Sequence, residues 1–155
     1  MNGSLPIDVA DAVVVVLNSP PQPPETGFVQ PVTAARGYRP QFDLAQLKTL
    51  RVTVVPKGIE ISSLGRNSNQ HDVSVDVAVQ QKVPPPDQGD NSVLDGLMLL
   101  VQQIADYLRL RRLTLANGDS GGWIRTENVP IYSPEHLETK QVFTSVLTLT
   151  FRVVR

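Results

Sequence analysis

The chain has 155 residues, a length that predicts one domain with a core large enough to fold without metals or disulfides. Hydrophobic residues make up 41% and charged residues 19%, a globular balance that excludes the disordered class. A net charge of −1 gives no general positive field for binding nucleic acid, and the absence of cysteine excludes a disulfide scaffold, a thiol nucleophile and a cysteine-ligated zinc site.

No targeting or membrane segment is predicted. The apolar run at residues 12–17 is too short for the hydrophobic region of a signal peptide and follows two aspartates. The longest later apolar run, residues 97–101, is too short to cross a bilayer. We therefore expect a protein that is made and assembled in a reducing cytosol and does not associate with membranes.

The first predicted element is a helix. Ser4 can cap it, and Pro6 lies in the first turn, where a missing N–H does no harm. Apolar residues then recur at helical spacing: Ile7, Ala10, Val13, Val14 and Leu17. Residues 18–27 contain four prolines and are predicted to form an exposed loop.

A group of short extended segments is predicted next. Residues 28–39 are expected to be extended and to lie at a sheet edge because of Pro31. Asp43 can cap a short helical turn that ends near Leu47. Residues 50–55 alternate as a strand, residues 56–58 are expected to turn the chain, and Ile59 and Ile61 begin a second strand of a hairpin.

The clearest strand pattern lies at residues 73–79, where a valine at every odd-numbered position alternates with serine, aspartate or alanine. A polar loop at residues 64–70 precedes it. A proline-rich break follows, so residues 83–91 are predicted to form a second exposed loop.

The strongest helix pattern starts at Ser92, which is expected to cap it, and runs through Leu108. Arg109, Arg111 and Arg112 are expected to lie in its last turns, where cations favour the helix dipole. A short strand at 113–116, a glycine-rich turn at 117–122, a strand at 123–132 and a long strand at 143–153 follow.

These elements predict a single α+β domain. Strands joined by short turns favour antiparallel pairing. A sheet with one apolar face needs a cover, which the two helices can supply. The expected architecture is therefore an antiparallel β-sheet with two helices packed on one face.

One short motif points to catalysis. The glycine-rich turn matches the nucleophile motif of chymotrypsin-like serine proteases, with Ser120 as the nucleophile, in the string Gly118, Asp119, Ser120, Gly121, Gly122. That chemistry needs a histidine base, which in this family follows a Thr-Ala-Ala sequence. Here Arg36 stands in its place, and arginine cannot accept the proton. His71 and His136 are the remaining candidates, so a polar turn is the favoured reading and no catalytic residue is predicted.

Neither a metal site nor a cofactor site is predicted. His71, Asp72 and Asp76 are close in sequence, but strand alternation places His71 on the opposite face from the two aspartates. The sequence has no P-loop and no glycine-rich dinucleotide motif after a strand. The basic cluster at 108–112 fits a helix end better than a site for DNA or an acidic partner.

Most of the chain resembles the tail-terminator (tail-completion) proteins of long-tailed bacteriophages. The resemblance rests on sequence patterns in several segments: residues 7–12 and the helix after them, 35–40, 42–44, 52–56, 72–82, the helix at 94–108 and the final long strand. This family has no catalytic residues to carry over, and it uses no cofactor.

The resemblance implies a structural virion protein. Six copies would form a ring that caps the tail tube, ends its polymerisation and joins the tail to the neck or head-completion protein. DNA would pass through the lumen without sequence-specific binding, and assembly would take place in the host cytoplasm. The alternatives are another head–tail connector or neck protein and, as a weaker alternative, a small chymotrypsin-like serine protease that uses the motif at residues 118–122.

Two sets of polar residues are predicted to contact neighbouring subunits or the tail tube. One is the loop set Arg66, Asn67 and Gln70, and the other is the set at the helix end, Arg109, Arg111 and Arg112.

Overall fold

The computed structural model describes residues 3–19, 28–39, 44–84 and 91–155. These residues form three helices, α1 (Leu5–Leu17), α2 (Ser92–Leu108) and α3 (Pro134–Lys140), and a 3-10 turn at Gln46–Lys48. They also form six strands: β1 (Ala34–Arg36), β2 (Arg51–Ser63), β3 (Asn69–Lys82), β4 (Arg112–Thr114), β5 (Ser120–Glu127) and β6 (Val142–Val154).

The six strands form one mixed sheet in the order β1-β2-β3-β6-β5-β4. All neighbours are antiparallel except β1 and β2, which run parallel. A small α+β domain is therefore confirmed, and the predicted antiparallel sheet is roughly compatible with this mixed sheet, in which only the edge pair β1–β2 of the described strands is parallel. The chain between β1 and β2 returns to the starting side of the sheet, as a parallel pair requires.

Strand alternation gives the sheet two different faces. In the centre, β3 and β6 place the buried pairs Val73–Phe151, Val75–Leu149 and Val77–Leu147 on one side, which we call the helix face. The intervening pairs Asp72–Arg152, Ser74–Thr150 and Asp76–Thr148 lie on the other side, which we call the polar face.

Helices α1 and α2 cover the helix face. Their buried residues join the apolar strand residues in a single core: Val9, Val13 and Leu17 from α1, and Leu97, Leu100, Ile104 and Leu108 from α2. The predicted packing of two helices on one face is compatible with this arrangement. None of the helices in the described ranges is long and apolar enough to cross a membrane.

Helix α3 was not predicted. It has seven residues, none of them buried, so it lacks the apolar stripe that would mark it in the sequence. The Ser133 side chain caps it by accepting a hydrogen bond from His136 N at 3.3 Å. Together with the segment before it, α3 occupies the edge of β6 that β5 leaves uncovered, where Ser133 N donates to Thr144 O at 2.8 Å.

Both helix caps differ from the prediction. Ser4 occupies the N-cap position of α1, but its side chain makes no capping hydrogen bond. Asn91 is the N-cap of α2, and Ser92 is its first helical residue.

The three arginines expected in the last turns of α2 lie beyond it. The helix ends at Leu108, and Leu110 adopts a left-handed conformation with φ of 60°. The chain turns there because Leu113 enters the core from β4, which a continuing helix would prevent.

The predicted turn at residues 56–58 is also wrong. β2 runs straight through it, with a register shift between Pro56 and Gly58, because β3 provides a partner along its whole length. The hairpin turn comes later, where Leu64 N donates to Ser68 O at 3.1 Å. Residues 69 and 70, predicted as loop, already belong to β3.

Other boundaries agree in part. Of the predicted extended segment 28–39, only β1 is a strand, and it lies at the sheet edge as expected. The predicted strand 123–132 starts at Ser120 and ends at Glu127. Asp43, residues 20–27 of the first predicted loop and residues 85–90 of the second lie outside the described residues.

Asn18 joins the end of α1 to β1. Its side-chain amide donates to Ala34 O at 3.1 Å, and its oxygen accepts from Ala34 N at 2.7 Å. Asn18→Ala removes both bonds, so we expect the free energy of unfolding in urea to fall by about 1–3 kcal/mol. Asn67→Ala, at the exposed hairpin tip, is the matched control and should change it by less than about 0.5 kcal/mol. Equal effects would contradict a structural role for Asn18.

Candidate subunit interface

Among the described residues, the outer edge of β2 is largely without a pairing partner. β1 covers it only at Val52–Val54, and Gly37 N extends this contact by donating to Val54 O at 3.0 Å. Beyond that point, no strand within the described ranges pairs with it. Residues 58–63 therefore present unpaired backbone groups, which are a template for a strand from another chain.

This open edge also carries exposed apolar side chains. Ile59 and Ile61 lie on the helix face, opposite Val73 and His71, but extend past the helices and are 39% and 60% exposed. Glu60 lies between them on the polar face. Apolar side chains exposed along an unpaired edge mark an interaction surface. In the sequence, the alternation Ile-Glu-Ile predicts the second strand of a hairpin, but it does not indicate that the edge of that strand is open.

The predicted loop set lies beside this edge. Arg66 and Asn67 are exposed at the tip of the β2–β3 hairpin. Gln70 is in β3 and partly buried, within hydrogen-bonding reach of Asp72 and Arg152. Only the tip residues are therefore fully available to a partner.

The predicted arginines lie at the opposite edge of the sheet. The Arg111 guanidinium stacks over the Tyr107 ring at 4.2 Å and donates from Nε to Tyr107 O at 3.1 Å. Arg109 is exposed directly after α2, and Arg112 is exposed on β4. A cavity of about 680 Å³ lies along this segment. The structure thus separates the two predicted sets instead of bringing them together.

Paired charges and hydroxyls cover the polar face. Arg152 binds Asp72 through two hydrogen bonds, Nε to Oδ1 at 2.9 Å and Nη2 to Oδ2 at 3.2 Å. Thr148 donates to Asp76 at 2.6 Å, and Lys57 Nζ lies 3.7 Å from the same carboxylate. These charges are largely satisfied within the subunit.

The Asp72–Arg152 pair makes stability depend on pH. The hydrogen bonds from Arg152 lower the pKa of Asp72 below its ordinary value, so the folded state favours the carboxylate. The stabilisation is present above the unfolded pKa of about 4 and is lost as pH falls through the lower folded pKa. We expect Asp72→Asn to reduce the free energy of unfolding at pH 7 by about 1 kcal/mol, and the difference from wild type to shrink as the pH falls below about 4.

Urea denaturation at pH 7 and at about pH 3 measures this difference. Glu127→Gln is the control, because Glu127 and its partner Arg125 are both mostly exposed. That variant should match wild type at both values of pH. A difference for Asp72→Asn that does not change with pH would contradict the prediction.

Ser120 does not face a histidine. It is exposed at the start of β5, opposite Thr114. His71 lies two strands away, roughly 10 Å, on the helix face, whereas Ser120 lies on the polar face. His136 Nδ1 lies 3.0 Å from Thr144 Oγ1, near the other end of β6. The protease motif is thus a turn, with Gly118 at φ of 91°, that leads into a strand.

The polar residues near His71 are divided between the two faces, as the alternation predicted. Asp72 and Asp76 lie on the polar face and His71 on the other. No group of three or more metal-ligating side chains occurs among the residues that the structure describes.

Comparison with models of known protein families finds no match for this chain, and a search of curated proteins finds none either.

Proposed function

We propose that this chain is a structural protein that forms a ring of identical subunits at the end of a bacteriophage tail tube. The ring, six copies by resemblance, would end tube polymerisation and join the tail to the neck or head. The observation that carries the proposal is the open edge of β2 with its exposed isoleucines.

A ring needs two different surfaces on each subunit, because head-to-tail contacts join one surface to the other. The described sheet supplies two unlike open edges, β2 on one side and β4 on the other. A self-complementary dimer would need only one of them. Two open edges on opposite sides of one sheet therefore support repeated addition of subunits.

The charge distribution supports passage of DNA through the lumen. The net charge is −1, and the charges at the centre of the polar face, Asp72 with Arg152 and Asp76 with Lys57, are paired within the subunit. A surface of this kind gives little of the counterion release that drives binding to phosphates. DNA would therefore cross the ring without being held.

The remaining exposed groups suit axial partners. Arg66 and Asn67 at the hairpin tip, and Arg109 with exposed Leu110 after α2, project from the sheet edges. We assign them to the tail-tube and neck proteins. The protein would then be a virion component at the head-proximal end of the tail, assembled in the host cytoplasm.

Light scattering of the purified protein, alone and with tail-tube protein, tests the proposal. A ring-sized mass in solution, or rings seen by electron microscopy only at tube ends, is the expected result. A monomer that leaves tube length and tube ends unchanged would overturn it and favour another role in the neck.

A further inference from the structure

One row of residues crosses five strands of the sheet on the polar face. Glu60 in β2 is paired with Asp72 in β3, and Asp72 with Arg152 in β6. Arg152 is paired with Gly122 in β5, and Gly122 with Arg112 in β4. The row therefore ends in a carboxylate at one open edge and in a guanidinium at the other.

Among the residues that the structure describes, the two end charges have no partner in the same subunit. Asp72 and Arg152 neutralise each other in the middle of the row, whereas no ion pair or hydrogen bond within the described ranges involves the Glu60 or Arg112 side chain. Opposite charges at the two ends of one row are complementary between successive copies of the chain.

The backbone N–H and C=O groups that point to the open edges alternate along both β4 and β2. At β4, the residues on either side of the strand bond toward β5: Trp123 N donates to Arg111 O, and Leu115 N donates to Asp119 O. Antiparallel alternation then turns the N–H and C=O of Arg112 and Thr114 toward the open side.

The same alternation applies to β2. Leu64 N bonds to Ser68 O, so Ser62 and Glu60 also bond toward β3. The N–H and C=O groups of Ile59, Ile61 and Ser63 therefore point toward the open edge.

Only parallel pairing satisfies both edges. In a parallel pair, a residue whose backbone N–H and C=O point to the partner strand bonds to two residues of that strand, one on each side of the residue opposite it. Arg112 then lies opposite Glu60 of the next copy and bonds to the backbone of Ile59 and Ile61. In an antiparallel pair, two residues whose backbone groups point to the open edges lie directly opposite each other. Arg112, on the polar face, would then lie opposite Ile59 or Ile61, which are on the helix face.

Strand direction and apolar packing agree with this register. β2 and β4 run in the same direction within the sheet, so a head-to-tail repeat presents them as parallel neighbours. Leu113 then lies opposite Ile61 of the next copy, on the helix face. The most exposed isoleucine of the edge would be covered.

We infer that successive subunits join by parallel pairing of the open β2 edge with β4, with Glu60 of one copy opposite Arg112 of the next. The inference rests on the proposed ring and names the surfaces that close it.

Engineered cysteines test this contact cleanly, because the natural chain has none. The double variant Glu60→Cys/Arg112→Cys, treated with mild oxidant or a short bismaleimide, should give a ladder of covalent oligomers up to the ring mass on denaturing gels. Each single variant should remain monomeric on the same gels. Cross-linking by Glu60→Cys alone would indicate pairing between two β2 edges and would overturn the inference.

Light scattering under the same conditions separates this inference from the proposed function. Rings without cross-linking in the double variant would overturn the β2–β4 contact and leave the ring proposal standing. Absence of any oligomer, alone or with tube protein, would overturn both.

Charge reversal gives an independent test of the pairing. Glu60→Arg and Arg112→Glu should each weaken subunit association at least about tenfold, and their combination should restore it to within about threefold. Because both side chains are exposed, urea denaturation should show that the fold of each variant is intact. Failure of the combination to restore association would overturn the inference.

Discussion

Replacing Phe151 with alanine is expected to lower the free energy of unfolding by about 3–5 kcal/mol. Phe151 is fully buried in β6 on the helix face, paired across the sheet with Val73 and Trp123. Truncation removes a large apolar side chain and leaves a cavity that neighbouring strands cannot fill without breaking their register. Urea denaturation monitored by circular dichroism measures the change.

Val15→Ala in α1 is the control for that experiment. Val15 is mostly exposed on the side of α1 away from the sheet, so the change should stay within about 0.5 kcal/mol. Similar losses for both variants would mean that the centre of the helix face does not provide the main stabilisation.

Replacing Ile61 with proline is expected to abolish ring assembly while leaving the monomer folded. Proline removes the N–H that points to the open edge, and with it one bond to the next subunit, along with most of the isoleucine burial. The lost bond and burial amount to about 2–4 kcal/mol, or about 30- to 1,000-fold weaker association. Light scattering across a concentration series measures the loss.

Ser62→Pro is the matched control, one residue along the same strand. The N–H of Ser62 points toward β3, opposite Gln70, so its removal should destabilise the monomer in urea by about 0.5–1.5 kcal/mol. Ile61→Pro should not. If Ile61→Pro instead lowered monomer stability as much as Ser62→Pro, the assignment of outward groups on β2 would be wrong.

The elements that the sequence predicts best are those with a strong period and a large buried face. Helices α1 and α2 and strands β3 and β6 follow their apolar spacing closely, because the core depends on those side chains. Errors occur where tertiary contacts override local preference. Pro56 suggests a turn, but pairing with β3 carries the strand through it.

The candidate interface was harder to predict because it depends on long-range register. Arg112 was assigned to a helix end from its neighbours in sequence, but it lies on an edge strand because Leu113 enters the core. Glu60 carries no local signal that links it to Arg112. Their relation becomes visible only when four pairwise registers are followed across the sheet.

The register shift at Pro56–Gly58 limits the registers in which a strand from another copy can pair with β2. It divides the outer edge of β2 into a part covered by β1 and an open part, and the proline at the division has no N–H to offer. A strand paired with the open part cannot shift its register toward β1 without losing backbone hydrogen bonds at this point. With only three residues in β4, the docked length is short and its alignment has few alternatives. In the proposed ring, the irregularity would therefore fix the register of the contact and keep every subunit at the same height.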